Sequence, residues 1–209
     1  SSNQLLRGIS GTATEPATRG DIAQLVFNAL TVNLMEQVGY GTNATYEVVD
    51  KTLLYDRLNV EKGYGQITGT AETALNGTGT TDKDKVMIDE KQYREGDTQA
   101  KQLLGYNVLY YARIDKKTDD KTLIDVRVQQ NKNKSVTVHA DDIVAVGTAD
   151  DGSRTFEYWG AQNDTRTKTA TIAKDAIYIY NGKYKTGVTE EELKPSAGNV
   201  ILLDADTNG

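Results

Sequence analysis

His139 is the one imidazole in 209 residues and cysteine is absent, so any Ser-His-Asp triad, Cys-His pair or multi-histidine metal site lacks partners before geometry is considered. It lies in Val136-Thr137-Val138-His139-Ala140, where alternation predicts a solvent-facing position. Carboxylates are plentiful. Asp119-Asp120, Asp141-Asp142 and Glu190-Glu191-Glu192 supply the residue types of a glycosidase pair. Each falls in a turn-like or helix-starting context, where adjacent acids solvate a loop or favour a helix N-terminus. The chain has no phosphate-cradling glycine loop between a strand and a helix, and no nucleophile elbow. The expectation is a non-enzyme.

Two patterns have ligand chemistry. Asp204-Ala205-Asp206-Thr207-Asn208-Gly209 fits the first half of a calcium loop, with Asp204, Asp206 and Asn208 as the alternating oxygen ligands. The later carbonyl and the bidentate carboxylate do not follow, and Asn-Gly is equally a hairpin turn, so the stretch reads as a turn before an ion site. Calcium is the only cofactor the sequence suggests. Tyr158-Trp159, with Tyr178, Tyr180 and Tyr184, offers rings that could stack on sugars, although aromatic strand residues more often fill cores or pair across strands.

The elements that carry these residues are those of a soluble, somewhat polar chain. Hydrophobic residues are 37%, charged residues 26%, and there are 19 Gly and 2 Pro, a balance that short strands joined by polar turns would produce. Lys plus Arg number 24 against 30 Asp plus Glu, so no basic stripe exists to neutralise phosphates and nucleic acid is not an expected partner. No segment reaches the roughly 18 apolar residues of a membrane span, so no membrane insertion is expected. The Cys-free, Met-poor, acidic composition suits an external surface. Ser1-Ser2-Asn3 does not open a signal peptide, and Val200-Ile201-Leu202-Leu203 reads as a strand without a returning partner. A fragment of a longer, exported chain is expected.

Thr18-Arg19-Gly20-Asp21 places a hydroxyl three residues ahead of a carboxylate, the pattern of a reciprocal helix cap. Ile22, Leu25, Val26, Ala29 and Leu30 then recur at helical spacing and predict an apolar face in need of a partner. Arg19-Gly20-Asp21 also spells an adhesive tripeptide, but that use needs a flexible loop and this copy opens a helix.

The run from Arg7-Gly8-Ile9-Ser10-Gly11 through Ala17-Thr18-Arg19-Gly20-Asp21 to Val26-Phe27-Asn28-Ala29-Leu30 resembles the closing part of an S-layer homology motif. The resemblance implies that Thr18 and Arg19 match the family's Thr-Arg pair, with Asp21 where Glu is usual and Gly20 where Ala is usual. It further implies an extracellular, cell-wall location in a Gram-positive-type bacterium and binding of secondary cell-wall polymer by Thr18, Arg19 and Asp21 within a complete unit of three motifs. Downstream, Leu103-Leu104-Gly105-Tyr106-Asn107-Val108-Leu109-Tyr110-Tyr111, Val136-Thr137-Val138-His139-Ala140-Asp141-Asp142-Ile143, Tyr180-Asn181-Gly182-Lys183 and Glu192-Leu193-Lys194-Pro195 resemble the β-rich regions behind such motifs.

Those regions alternate apolar and polar residues at Val86-Met87-Ile88, Val108 to Ala112, Leu123 to Val128 and Val136-Thr137-Val138, which predicts half-buried strands. Val86-Met87-Ile88, Lys91, Tyr93, Gly96, Thr98, Leu104, Gly105 and Val108 match Ile177-Tyr178-Ile179, Lys183, Tyr184, Gly187, Thr189, Leu193, Gly198 and Val200 in order. Each copy reads as strand, turn, Thr-capped short helix, glycine and strand. The predicted fold class is therefore α+β, mainly β. Residues 1–35 form the end of a helical S-layer-homology motif and 36–59 a connector with a short helix. Residues 60–133 and 134–209 form two small barrel- or sandwich-like modules, each with a short helix. The expected function is a non-catalytic spacer or assembly module of a surface-layer-type protein, with self-association in an array among its partners. The alternative is a carbohydrate-binding or adhesive module of a larger secreted, wall-attached protein.

Overall fold

The computed structural model describes residues 2–10, 14–39, 41, 44–79, 81–161 and 163–205. It is mainly β, with short helices. Two compact units emerge, Ser1–Lys62 with Tyr111–Lys121, and Gly63–Tyr110 with Thr122–Gly209. Among the described residues no helix is long and apolar enough to cross a membrane.

In the first unit a short helix α1 (Ser2–Leu5) precedes α2 (Arg19–Thr31). The expected apolar face of α2 is only half covered: Leu25, Ala29 and Leu30 are partly buried, whereas Ile22 is 53% and Val26 58% exposed. The one buried residue of the helix is polar, Asn28. A hairpin follows, β1 (Asn33–Gln37) with β2 (Tyr46–Thr52), in the stretch read from sequence as a connector. It pairs Met35 with Val48 and Gln37 with Tyr46, and the Met35, Val48 and Tyr46 side chains lie open to solvent. Helix α3 (Leu53–Asp56) starts where the Thr52 hydroxyl accepts the Tyr55 N–H at 3.2 Å.

Five strands close into a barrel in the order β3 (Val60–Gly69), β4 (Lys85–Ile88), β5 (Lys91–Arg94), β7 (Lys121–Val128) and β6 (Asn107–Ile114). Closure removes exposed edges. In the stretches read as half-buried strands, Val86, Ile88, Val108 and Leu123 are almost fully buried, and Ile67 and Tyr93 join them. Tyr93 and Tyr110 meet edge to face, centroids 5.0 Å apart, and their hydroxyls share a hydrogen bond of 2.8 Å. Gly63 makes room for this pair, since a Cβ there would fall 2.3 Å from the Tyr110 ring.

The strands after the barrel do not repeat it. β8 (Asn133–His139) pairs with β14 (Asn199–Ala205), while β9 (Ile143–Thr148), β10 (Arg154–Tyr158) and β11 (Lys168–Ile172) form a separate sheet. β12 (Tyr178–Tyr180) and β13 (Lys183–Lys185) form a hairpin, followed by α4 (Glu190–Leu193). The core gathers Val138, Ile143, Phe156 and Tyr158, with Val200 and Leu202 packed against it. Among the described residues these strands form separate small sheets, and the three-stranded sheet supplies Ile143, Phe156 and Tyr158 to a core shared with Val138 of β8.

The internal match survives as an order of elements. Hairpin β4–β5, a 3-10 turn (Ala100–Leu103), Gly105 and β6 correspond to hairpin β12–β13, α4, Gly198 and β14. Gly105 and Gly198 both sit at φ +88°. Two details need correction. Asp89-Glu90 turns the first hairpin between paired Ile88 and Lys91, and Asn181-Gly182 turns the second between paired Tyr180 and Lys183. Counted from those turns, Val86 corresponds to Tyr178 rather than Ile177, and Tyr93 to Lys185 rather than Tyr184. A one-residue slip reverses the face, so Tyr184 is not a second Tyr93. Thr98 caps no helix; its hydroxyl donates to the Glu95 carbonyl at 2.8 Å, and the Glu95 carboxylate accepts the Lys101 N–H.

Candidate functional site

Thr18, Arg19 and Asp21 open α2. The Thr18 hydroxyl accepts the Asp21 N–H at 3.1 Å, and the Asp21 carboxylate accepts both the Thr18 N–H at 2.9 Å and the Thr18 hydroxyl at 2.6 Å. This reciprocal cap fixes the helix entry. The hydrogen bonds from the Thr18 side chain, then its backbone, hold the Asp21 carboxyl below the ordinary carboxylate range. Arg19 is exposed on the same turn. The three residues are together, with Arg19 the side chain left facing solvent and Thr18 and Asp21 occupied with each other. The adhesive tripeptide is accordingly wound into a helix and not presented on a loop.

Sequence reasoning missed Asn28. Its amide donates to the carbonyls of Leu5 and Arg7, both at 2.8 Å, and its side-chain oxygen accepts from Gln24 at 2.9 Å. One buried polar side chain thereby ties residues 5–7 to α2 and satisfies the carbonyls that end α1. The signal was in plain view as a polar residue within an apolar run, Val26-Phe27-Asn28-Ala29-Leu30.

Of the calcium pattern, Asp204 lies exposed on β14 opposite Lys134, and Asp206 and Asn208 lie outside the described residues. Among the described residues no three His, Asp or Glu side chains gather as metal ligands would. His139 ends β8 half exposed, and its Nδ1 accepts the Asp141 N–H at 3.3 Å. The Asp141 carboxylate lies 3.4 Å from the same nitrogen.

The acidic runs hold local structure. Asp119 occupies the β6–β7 turn at φ +60°, and its N–H donates to the Asp115 carbonyl at 2.7 Å. In Glu190-Glu191-Glu192, Glu192 caps α4 with Thr189 and bonds Lys185, and Glu190 accepts from the Thr148 hydroxyl. Lys185, then the Thr189 N–H, hold Glu192 below the ordinary range. The candidate sugar platform disperses. Tyr158 packs in the core beside Phe156, and Trp159 is partly exposed. Tyr180 lies under the Lys185 ammonium, 5.2 Å from it, whereas Tyr184 lies on the other hairpin face.

Tyr184 instead meets the loop after β3. Its N–H donates to the Thr73 hydroxyl at 2.9 Å, and its ring fills the space beside Gly77. Around it lies an open depression of about 210 Å³ lined by Glu72, Thr73, Ala74, Gly77, Gly79, Lys183 and Tyr184. Glu72 is its one carboxylate, so it offers no acid pair. The Asn133 side chain donates to the Asn107 carbonyl at 2.8 Å and its oxygen accepts the Asn107 N–H at 2.8 Å. Both contacts join the barrel strands to those that follow.

No protein-family model matches the chain, and no solved structure matches it. Over 49 residues, 23% of this chain, it is 49% identical to the Middle cell wall protein of Brevibacillus brevis (strain 47). The chain spans 5% of that relative's length, so the likeness is to part of a cell wall protein.

Proposed function

We propose that this segment is a non-catalytic structural module of a cell-wall-associated bacterial surface protein, in which α2 belongs to an anchoring unit and the β strands behind it serve as spacer or assembly modules. The observation that carries the reading is the 49% identity to a stretch of a cell wall protein. The resemblance of residues 7–30 to the end of an S-layer homology motif supports the anchoring part. The paired Asn107–Asn133 and Thr73–Tyr184 contacts support the spacer part, since they tie successive β units together. Carboxylates spent on caps and turns support a role without turnover. Partners in this reading are secondary cell-wall polymer through a complete motif unit, and further copies in an array.

Antibodies raised against residues 60–205 test the location. They should label intact cells of the source bacterium, with the label lost when wall-associated proteins are extracted. Label only in lysed cells would refute it.

A further inference from the structure

The depression beside Tyr184 gathers three polar groups that the fold itself does not use. Glu72 and Lys183 are exposed, and among the described residues neither the Glu72 carboxylate, the Lys183 ammonium nor the Tyr184 hydroxyl has a hydrogen-bond or ion-pair partner. Several charges of the same unit are taken up: Lys85 pairs with Asp82, Arg94 with Asp84, Lys101 with Glu95 and Lys185 with Glu192. Lys101 attracts Glu72 only from a distance, because its ammonium bonds Glu95 at 2.8 Å. A single unpaired surface charge is ordinary. Here an acid, a base and a phenol line one hollow.

The ring that they surround is held in place. Tyr184 pairs with Ile179 across the β12–β13 hairpin, and its N–H donates to the hydroxyl of buried Thr73 at 2.9 Å. On one side the ring lies against Gly77, where a Cβ would come within 2.5 Å. Gly77 and Gly79, at φ +70° and +82°, bring no side chain into the hollow. Tyr184 is nonetheless partly exposed, so a ligand meets an aromatic group already ordered by the fold.

These groups match the surface of a sugar. The C–H side of a pyranose carries slightly positive hydrogens that suit the negative face of an aromatic ring. Its hydroxyls both donate and accept, to a carboxylate on one hand and an ammonium on the other. Glu72 and Lys183 cancel in charge, which favours an uncharged ligand over an anion or a cation. The hollow, about 210 Å³, has room for one six-membered ring with its substituents, and its single carboxylate suits binding without cleavage.

We propose that this depression is a subsite for one neutral pyranose residue of a glycan, stacked on Tyr184 with its hydroxyls bonded to Glu72 and Lys183. The inference goes beyond the spacer reading, and its test does not involve wall attachment.

The test is a titration of the full chain with the methyl glycosides of glucose, galactose, mannose and N-acetylglucosamine, followed through its amide NMR signals, with glucuronic acid as the charged comparison. At least one neutral glycoside should shift the amides of residues 72–79 and 183–184 saturably, with a dissociation constant in the millimolar range. Glu72→Ala and Lys183→Ala should each weaken that binding about fivefold or more and leave thermal unfolding unchanged, since neither side chain has a partner in the fold. Tyr184→Phe, which keeps the ring, should still bind. No saturable shift at tens of millimolar glycoside, shifts centred away from the hollow, affinity unchanged in both alanine variants, or tighter binding of glucuronic acid than of every neutral glycoside would overturn the proposal.

Discussion

The ring of Tyr184 occupies the space that a side chain at Gly77 would need: an ideal Cβ there would lie 2.5 Å from the Tyr184 ring. Gly77 also sits at φ +70°, where a Cβ is strained. Gly77→Ala should therefore lower stability by roughly 1 to 3 kcal/mol. Thermal unfolding of Gly77→Ala and of Tyr184→Ala would check it. If the contact joins the two β regions, both should also loosen exchange of the Thr73 and Lys183–Lys185 amides.

Gly20 is a different case. A Cβ there would meet only the Thr18 hydroxyl at an ordinary 3.6 Å, and the residue is helical. Gly20→Ala should stabilise α2 by up to about 1 kcal/mol, and Thr18→Ala should cost about 1 kcal/mol by removing the cap. Circular dichroism during heating would show the two shifts in opposite directions.

Asn28→Leu should leave the Leu5 and Arg7 carbonyls without their donor and cost roughly 1 to 3 kcal/mol of local stability. Its readout is protease cleavage near residues 5–9, faster in the variant while the barrel stays intact.

The pH dependence follows from the two capping carboxylates. Asp21 and Glu192 are both held below their ordinary values of 3.8 and 4.5, by Thr18 and by Lys185 with Thr189 respectively. A lowered folded-state pKa contributes stability above the unfolded value and loses it as pH falls through the folded one. The helical signal should hold steady from neutral down to about pH 5 and decline below about pH 4, with a shallower decline in Thr18→Ala. A decline centred near neutrality would contradict this assignment.

What the sequence made readable was local. The cap at Thr18 and Asp21 and the capping role of Thr189 each depend on residues within a few positions of one another. Strand alternation identified β4, β6, β7 and β8 as half-buried strands, and within them Val86, Ile88 and Val108 are buried. Long-range choices were hidden. The burial of Asn28 depends on carbonyls more than 20 positions away, and Tyr184 finds Thr73 at a separation of 111. Matching Tyr93 to Tyr184 by residue type missed a slip that only the register from the turn reveals.

Wall attachment is tested most directly by co-sedimentation of the natural polypeptide that carries this segment with purified cell walls of its source, before and after chemical removal of the secondary polymer. The account predicts that the polypeptide pellets with untreated walls and remains in the supernatant once the polymer is stripped. Recovery in the supernatant in both conditions would contradict it.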